Sequence, residues 1–382
     1  MRVLQGDAAS PEAASASCGA APTRQTVYET VTHGVPAWLV VDRLKNGLAF
    51  GGFRFSDSVS LSQVGLLANT MSWKLAAHGQ PVGGAKAGVR CRPDHPRIDA
   101  ILADLASAWR APLANHVILG KDMGATDALL DRLYQQLGKP QLHLVQGRVP
   151  GCPSRIRDLT GYVRDMTGLG AVIAAEAAAG PLQGKRILIQ GAGVVGAGVA
   201  VRATQRGAVV VGISDVDRAI VGTNGVPVAE EVMAAREAGR PFSLALLEGA
   251  GGTSVPRDRM LAEPADILFL AAGSHVVPGA LAKDIRAGVV VEASNFGLTE
   301  EANAVLFGHG VIVVPDIISS SSSAAMTSYQ LAEGNRWEPG ALWKRIESNI
   351  RTAVEEGLRQ AAQSRVPLRE AYKSMYGDVL SH

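Results

Sequence analysis

Two lysines and an aspartate are the residues of this chain whose types and spacing can do acid–base chemistry on an anion. Lys74 and Lys86 stand twelve positions apart, in the stretch MSWKLAAHGQPVGGAK that runs from Met71 to Lys86. A helix, a turn at Pro81 and a return lined by Gly83 and Gly84 can bring both ammonium groups to one cleft. Two cations in one cleft suit an anionic substrate, and each depresses the pKa of the other. Taken singly, each has a plainer reading. Lys74 fits a solvated lysine at a helix C-terminus, where it favours the dipole, and Lys86 fits a surface turn. Asp122 follows residues 115–120, which have strand character, so it falls just past a strand's end. α/β proteins place catalytic side chains there. It also reads as a helix N-cap, a job for which Thr126 and Asp127 compete.

A second constellation suits a dinucleotide. Residues 185–190 (KRILIQ) read as a short apolar strand, followed by Gly191, Ala192, Gly193, Val194, Val195 and Gly196. A helical stretch then runs to Arg206, and a second strand at 208–214 closes on Asp215, 24 positions after Gly191. A lone GxGxxG is a weak signal; strand, GxGxxG, helix, strand and acid together are strong. The first two glycines allow a tight turn and close pyrophosphate approach, and the third allows helix–strand packing. The helix N-terminus receives the phosphate charge. A carboxylate at Asp215, near the usual spacing of about 20, accepts ribose hydroxyls and repels a 2′-phosphate, which favours NAD over NADP. The plain alternative is a glycine turn in an α/β domain that binds nothing.

The elements that must position these groups follow from periodicity. Strands are expected at 37–41 (AWLVV) and 48–55 (LAFGGFRF). Gly51-Gly52 within the second marks close approach by another group, or else a β-bulge. Residues 61–77 show helical spacing of Leu61, Val64, Leu67, Ala68, Met71 and Leu75, which places Lys74 near a helix end. Further helices are expected at 98–109 and 129–137. Residues 146–158 are polar and turn-rich, read as a connector or lid. An alanine-rich helix runs from Thr167 to about 179. Strands at 265–272, 289–293 and 311–314 end at Ala272-Gly273, Ser294-Asn295 and Asp316, ends expected to line the nicotinamide side of a sheet. Residues 319–323 are five consecutive serines, either a flexible linker or a loop facing substrate or cofactor. Helices are expected from 342 to about 363 and at 368–379.

Composition narrows the classes. A chain of 382 residues with 47% hydrophobic content is long for one core, so two domains are expected. Net charge is +2 with no polybasic tract, which gives no case for nucleic acid. No apolar run reaches the length a membrane helix needs. The first 24 residues lack a signal-peptide core and read as a disordered lead-in. Three cysteines without a CxxC pair fit a reducing cytoplasm. The eight histidines are scattered with no HxxxH or HExxH spacing, so no catalytic metal is expected.

With both constellations in place, the chain from about residue 40 onward resembles the glutamate/leucine/phenylalanine/valine dehydrogenase family. Gly51-Gly52-Phe53-Arg54 looks like its GGxR, Met71-Ser72-Trp73-Lys74 like its MTYK, and Gly83-Gly84-Ala85-Lys86 like its GGGK or GGAK. Lys121-Asp122-Met123-Gly124 looks like its xDVG, Thr167-Gly168 like the pair before the dinucleotide helix, Glu292-Ala293-Ser294-Asn295 like its GxAN, and Pro315-Asp316 like the PD before the last active-site loop. The resemblance implies an α/β fold of two domains with the active site in the cleft between them. Residues 25–160, joined by C-terminal helices at 335–382, would form a substrate-binding and oligomerisation domain, and 161–334 a Rossmann domain for NAD. It implies that Lys74 binds an α-carboxylate, that Lys86 is the general base on the attacking water, and that Asp122 shuttles protons to the amino group. It further implies substrate contacts at Phe50, Gly51, Gly52, Ser320 and Ser321. Cofactor contacts are expected at Thr167, Gly191, Gly193, Val194, Val195, Gly196, Asp215, Ala272, Gly273 and Asn295. A homo-oligomer is expected.

Three departures shape the substrate. Glutamate-specific members carry a lysine just before the GG pair, where this chain has Phe50. That argues for an apolar, aromatic or unusual side chain, closer to the leucine/phenylalanine type, or for a small one if Phe50 fills the pocket. The family's last loop reads Asn-Ala-Gly-Gly, where this chain has 320–323, all serine. The connector at 146–165 does not match the usual glycine-, serine- and proline-rich segment. The expected activity is reversible NAD-dependent oxidative deamination of a non-acidic L-amino acid. The alternatives are an NAD-dependent imine or 2-oxo-acid reductase that does not use ammonia, and an inactive NAD-binding regulatory protein.

Overall fold

Strands of alternating side chains and helices of apolar stripe assemble here into two separate α/β units. The computed structural model describes residues 2–5, 25–138, 160–333 and 338–381. Residues 1–156, 324–338 and 379–382 form the first unit, and 157–323 and 339–378 the second.

The first unit holds strands β1 (Arg2–Gln5), β2 (Thr26–Thr32), β3 (Val35–Val41), β4 (Ala49–Phe55), β5 (Gly83–Val89) and β6 (Val117–Lys121) in one sheet of order β1-β2-β3-β5-β4-β6. β4 runs parallel to both β5 and β6, and the other pairs are antiparallel. Its helices include α1 (Leu61–Ala77), α2 (Ile98–Ala108), α3 (Arg110–Asn115) and α4 (Asp127–Gln136). Period-two alternation splits β4 between two faces. Ala49, Phe53 and Phe55 bury against Leu39, Ala87 and Leu119 of neighbouring strands and Leu102, Leu105, Trp109 and Leu133 of the helices. Each fully buried Leu or Phe side chain among them contributes about 1.5–3 kcal/mol. Phe50, Gly52 and Arg54 take the opposite face, on the side of α1. There Met71 and Leu75 pack with Phe50 and Ile118, and Val64 and Ala68 pack with Trp38 and Val40. A Cβ on Gly84 would lie 2.4 Å from the Ala68 carbonyl oxygen, so α1 presses directly on β5. The helix starts at Ser60, whose hydroxyl accepts from the Gln63 N–H, and stops at His78 before Gly79 at φ +63°.

The second unit continues with α5 (Thr160–Ala179), β7 (Arg186–Gln190), α6 (Val194–Thr204), β8 (Val209–Ser214), β9 (Arg218–Val221), α7 (Val228–Glu237), α8 (Ala245–Glu248) and β10 (Thr253–Pro256). It adds β11 (Ile267–Leu270), α9 (Gly279–Ala282), β12 (Val289–Val291), α10 (Glu300–Gly308), β13 (Ile312–Val314) and α11 (Asp316–Ser319). Helix α12 (Ser322–Glu333) begins in this unit and runs into the first, while α13 (Pro339–Ser364) and most of α14 (Leu368–Ser381) belong to the second. The sheet order is β10-β9-β8-β7-β11-β12-β13, parallel from β8 to β13 with β9 and β10 added antiparallel. The order reverses at β7, flanked by β8 on one side and β11 on the other. That is the switch point at which doubly wound sheets open a crevice at their strands' carboxyl ends.

Three boundaries differ from expectation, the first being that residues 324–333, expected in the dinucleotide domain, group with the first unit. Within the expected lead-in, residues 2–5 form β1 along the free edge of β2; an open edge offers unpaired backbone groups to any short extended segment. The remainder of 1–24 and the connector at 146–158 lie outside the described residues. Residues 339–378 group with the second unit rather than the first. Leu342, Ile346, Ile350, Ala353 and Val354 form a buried stripe on α13, and Arg351 of that helix pairs with Glu176 on α5. No helix among the described residues is long and apolar enough to cross a membrane.

Candidate functional site

In the first unit the three parallel strands bring one cluster together. Gly52 on β4 pairs in register with Lys86 on β5 and with Gly120 on β6, two residues before Asp122. The Lys86 ammonium lies 2.7 Å from Asp122 Oδ2, with side-chain exposures of 5% and 19%. Arg54, two residues along β4 on the same face, donates from Nε to the same oxygen at 2.8 Å and from a terminal nitrogen to Oδ1 at 3.4 Å. Gly52 is bare because the pair stands over it: a Cβ there would lie 2.8 Å from Asp122 Cβ and 3.0 Å from Lys86 Nζ.

The electrostatics follow from burial. Desolvation pushes the Lys86 pKa down, the Arg54 charge adds to the push, and Asp122 opposes it. Burial alone would raise Asp122, but Lys86 and Arg54 overcome it and hold the carboxyl well below the usual range. The site thus sets an ionised aspartate against a lysine whose pKa is depressed, an arrangement chemically able to pass a proton.

Lys74 is buried near the end of α1, which excludes the solvated-lysine reading. The expectation of close approach at Gly51-Gly52 also holds against the bulge, since β4 and β5 stay in register from Ala49 to Phe55. A Cβ on Gly51 would fall 1.7 Å from the Ala85 carbonyl oxygen, so this glycine serves strand packing. Phe50 packs with Met71, Leu75, Val82 and Ile118. The end of α1 is tied down by a buried polar group. The Tyr329 hydroxyl and Gln80 Nε2 donate to the His78 carbonyl, at 2.8 and 3.1 Å, and Ser328 donates to Gln80 at 2.6 Å.

In the second unit the fingerprint adopts the turn its glycines allow. Gly191 sits at φ +106° and a Cβ on it would lie 2.7 Å from the Ala271 backbone. A Cβ on Gly196 would lie 1.8 Å from the Gly191 carbonyl oxygen, whereas Gly193 has open space around it. Close packing at the first and third glycines and free approach at the second fit a pyrophosphate at the start of α6. Asp215 follows β8, and its Oδ1 accepts from the Asp217 and Arg218 N–H groups, both at 2.9 Å.

The loops after β11 and β12 are joined to each other. Ser294 donates to the Leu270 and Gly273 carbonyls, each at 3.1 Å, and Ser274 donates to the Asn295 carbonyl at 2.8 Å. Beneath them Arg369 of α14 bridges the fully buried Glu292 and Asp316, at 2.6 Å to each. Glu292 also accepts from the Leu298 N–H and Asp316 from the Phe296 N–H, which holds Phe296 at φ +52°.

The serine run is neither linker nor open loop. It spans the end of α11 and the start of α12. Ser319 donates to the Glu292 carbonyl at 2.7 Å, Ser320 to Asp316 at 2.9 Å, Ser321 to Ile318 at 2.6 Å and Ser322 to Met166 at 2.8 Å. Ser323 lies 2.8 Å from the Thr167 hydroxyl. Hydroxyls that donate to the preceding turn let a polar sequence bury at helix ends.

The sheet of the first unit, with its lysine–aspartate pair, and the dinucleotide turn of the second correspond to two family models. The Glu/Leu/Phe/Val dehydrogenase dimerisation domain matches residues 27–138, and Glutamate/Leucine/Phenylalanine/Valine dehydrogenase matches residues 162–376. The chain belongs to the Glu/Leu/Phe/Val dehydrogenase family. Among its relatives, the NADP-specific glutamate dehydrogenase of Saccharolobus shibatae is 28% identical over 284 residues, 71% of this chain and 64% of that enzyme. The NAD-specific glutamate dehydrogenase of Staphylococcus aureus is 28% identical over 308 residues, 78% of this chain and 72% of that enzyme. The hetero-hexameric glutamate dehydrogenase of Thermus thermophilus, in a leucine-bound form, superposes with a TM-score of 0.77 at 26% identity. The match covers 95% of this chain and 91% of that one.

Two arginines that pair with these carboxylates were not singled out by sequence reasoning. Arg54 was within reach: two residues after Gly52 in a strand, it must share that glycine's face. Arg369 carries no such signal, because nothing local in α14 points to Glu292 and Asp316, 77 and 53 positions away.

Proposed function

We propose that this chain is an NAD-dependent amino-acid dehydrogenase acting on a non-acidic L-amino acid. The carrying observation is the buried Lys86–Asp122 pair braced by Arg54 over the bare Gly52. In the net reaction amino acid, water and NAD give 2-oxo acid, ammonia, NADH and a proton. Lys74 holds the α-carboxylate. Neutral Lys86 takes a proton at Nζ from the water that attacks the imine carbon, and Asp122 carries protons to and from the departing nitrogen. Gly191, Gly193, Val194, Val195, Gly196 and Asp215 would hold the dinucleotide, with Thr167, Ala272, Gly273 and Asn295 beside it. When bound, NAD supplies the acceptor for the α-hydride.

The relatives are named for glutamate, and they divide between NAD and NADP. This chain reads differently on the first point: at the position before the glycine pair Phe50 stands in an apolar cluster, so the lysine that would pair with a side-chain carboxylate is missing from that position. On the second point, the Asp215 carboxylate favours NAD, by repelling a 2′-phosphate. The dimerisation-domain match supports a homo-oligomer.

The test is NADH formation at alkaline pH by the full chain over a panel of amino acids, and NADH consumption with 2-oxo acids and ammonia. Absence of turnover in both directions overturns the proposal. Reductive turnover that does not need ammonia would replace it with an oxo-acid or imine reductase.

A further inference from the structure

The sheet face that carries Lys86 and Asp122 also carries a phenyl ring, one strand across from the ammonium. Phe50, Gly52 and Arg54 alternate on that face of β4. The Phe50 ring leans over β6. A Cβ built on Gly120 would lie 3.2 Å from its Cζ and 3.3 Å from its Cε2. Gly120 is the register partner of Gly52. The would-be Cβ of Gly52 is itself only 3.0 Å from Lys86 Nζ. The ring and the ammonium therefore stand over adjacent positions of adjacent strands, whose spacing is about 4.8 Å. The ring is not mounted on an open wall. Phe50 is 5% exposed, enclosed by Met71, Leu75, Val82 and Ile118, with Leu48 and Ala324 against the cluster. None of these side chains carries a charge or a hydrogen-bonding group.

We propose that the Phe50 ring already occupies the side-chain end of the substrate site, so that this chain acts on 2-amino acids whose side chain is no larger than an ethyl group. The proposal rests on the dehydrogenase reading and narrows it. A substrate whose α-carbon is served by Lys86 and Asp122 must direct its side chain along the sheet face. Toward Phe50 it meets the ring edge within about one strand spacing. A hydrogen or methyl fits that gap and an ethyl fills it; an isobutyl or benzyl group overlaps the ring. A close-packed cluster does not yield this space freely, because moving a buried phenyl forfeits its contacts. Glutamate is excluded by the same length limit, since its side chain extends beyond an ethyl group.

The experiment compares wild type, Phe50→Leu and Phe50→Ala in the full chain. It measures kcat/KM with NAD for glycine, alanine, 2-aminobutyrate, norvaline, leucine, phenylalanine and glutamate, and for the matching 2-oxo acids with ammonia and NADH. Thermal melting and NADH fluorescence titration check that each protein is folded. Wild type should prefer the two- to four-carbon substrates and lose about tenfold or more in kcat/KM per added carbon beyond them. Phe50→Ala should raise the leucine-to-alanine ratio by at least about tenfold, and Phe50→Leu by less. A wild type that prefers leucine, phenylalanine or glutamate overturns the proposal and leaves the dehydrogenase reading intact. So does an unchanged ranking in Phe50→Leu, which also serves if the alanine variant does not fold. Failure of every protein on every substrate while NADH still binds overturns the dehydrogenase reading itself, and this proposal with it.

Discussion

At the scale of single residues, Lys86 is held between opposing influences. Burial and Arg54 favour its neutral form, and Asp122 favours the charged one. If neutral Lys86 is the base, Lys86→Ala should lower kcat about a thousandfold, within the usual range for a lost acid–base group, while NADH fluorescence titration still reports binding. Near-normal turnover would remove Lys86 from the mechanism. The pH dependence has a definite sign. Oxidative kcat/KM should rise with pH as Lys86 loses its proton, with an inflection below the ordinary lysine range. Asp122→Asn removes the charge that raises the Lys86 pKa, so the residual activity of that variant should show its inflection at lower pH than wild type. An upward displacement would contradict the assigned electrostatics.

At the scale of elements, the site depends on glycine-bearing strands and on a tied helix end. Gly52→Ala should abolish turnover with only a modest loss of stability, about 1–3 kcal/mol of overpacking, since its Cβ would displace the Lys86–Asp122 pair rather than the core. Activity measured beside a denaturant midpoint separates the two effects. His78, at the C-terminal end of α1, has its pKa lowered by burial to about 4 from 6.5. Between those values the unfolded chain binds more protons than the folded one, so stability is lost as pH falls through this window, by about 3 kcal/mol in all. The stability difference between pH of about 7 and about 4.5 should therefore shrink in His78→Gln; an unchanged difference would mean the imidazole stays solvated. Arg369 plays a comparable tying role in the second unit, where Arg369→Ala would leave two buried carboxylates without their cation.

At the scale of the whole molecule, cofactor choice and chain allocation matter most. Asp215→Ser removes the carboxylate that disfavours a 2′-phosphate, so the NADP-to-NAD ratio of kcat/KM should rise by about tenfold or more. Unchanged discrimination would place the selectivity elsewhere. The allocation of the two C-terminal helices was the part of the architecture least legible in the sequence. Helical periodicity announced α13 and α14 but not what they cover. The buried stripe of α13 pairs with an alanine-rich α5, and Arg369 of α14 reaches the Glu292 and Asp316 strand ends; both are contacts across more than fifty positions.

The sequence by itself determined the parts that are local. The GxGxxG between two strands, the acid after the second, the helix from Leu61 to Ala77 and the strand alternation around Gly52 each follow from neighbouring residues through backbone sterics or periodicity. It could pose Lys74 and Lys86 as a site or as surface charges but not decide between them. Only the tertiary structure decided that both are buried, that Asp122 and Arg54 meet Lys86 over Gly52, and that the serines spend hydroxyl donors on helix ends rather than on an open loop. The reason is physical. Register between strands distant in sequence sets which side chains share a face, and burial, which no local pattern states, sets what their charges do.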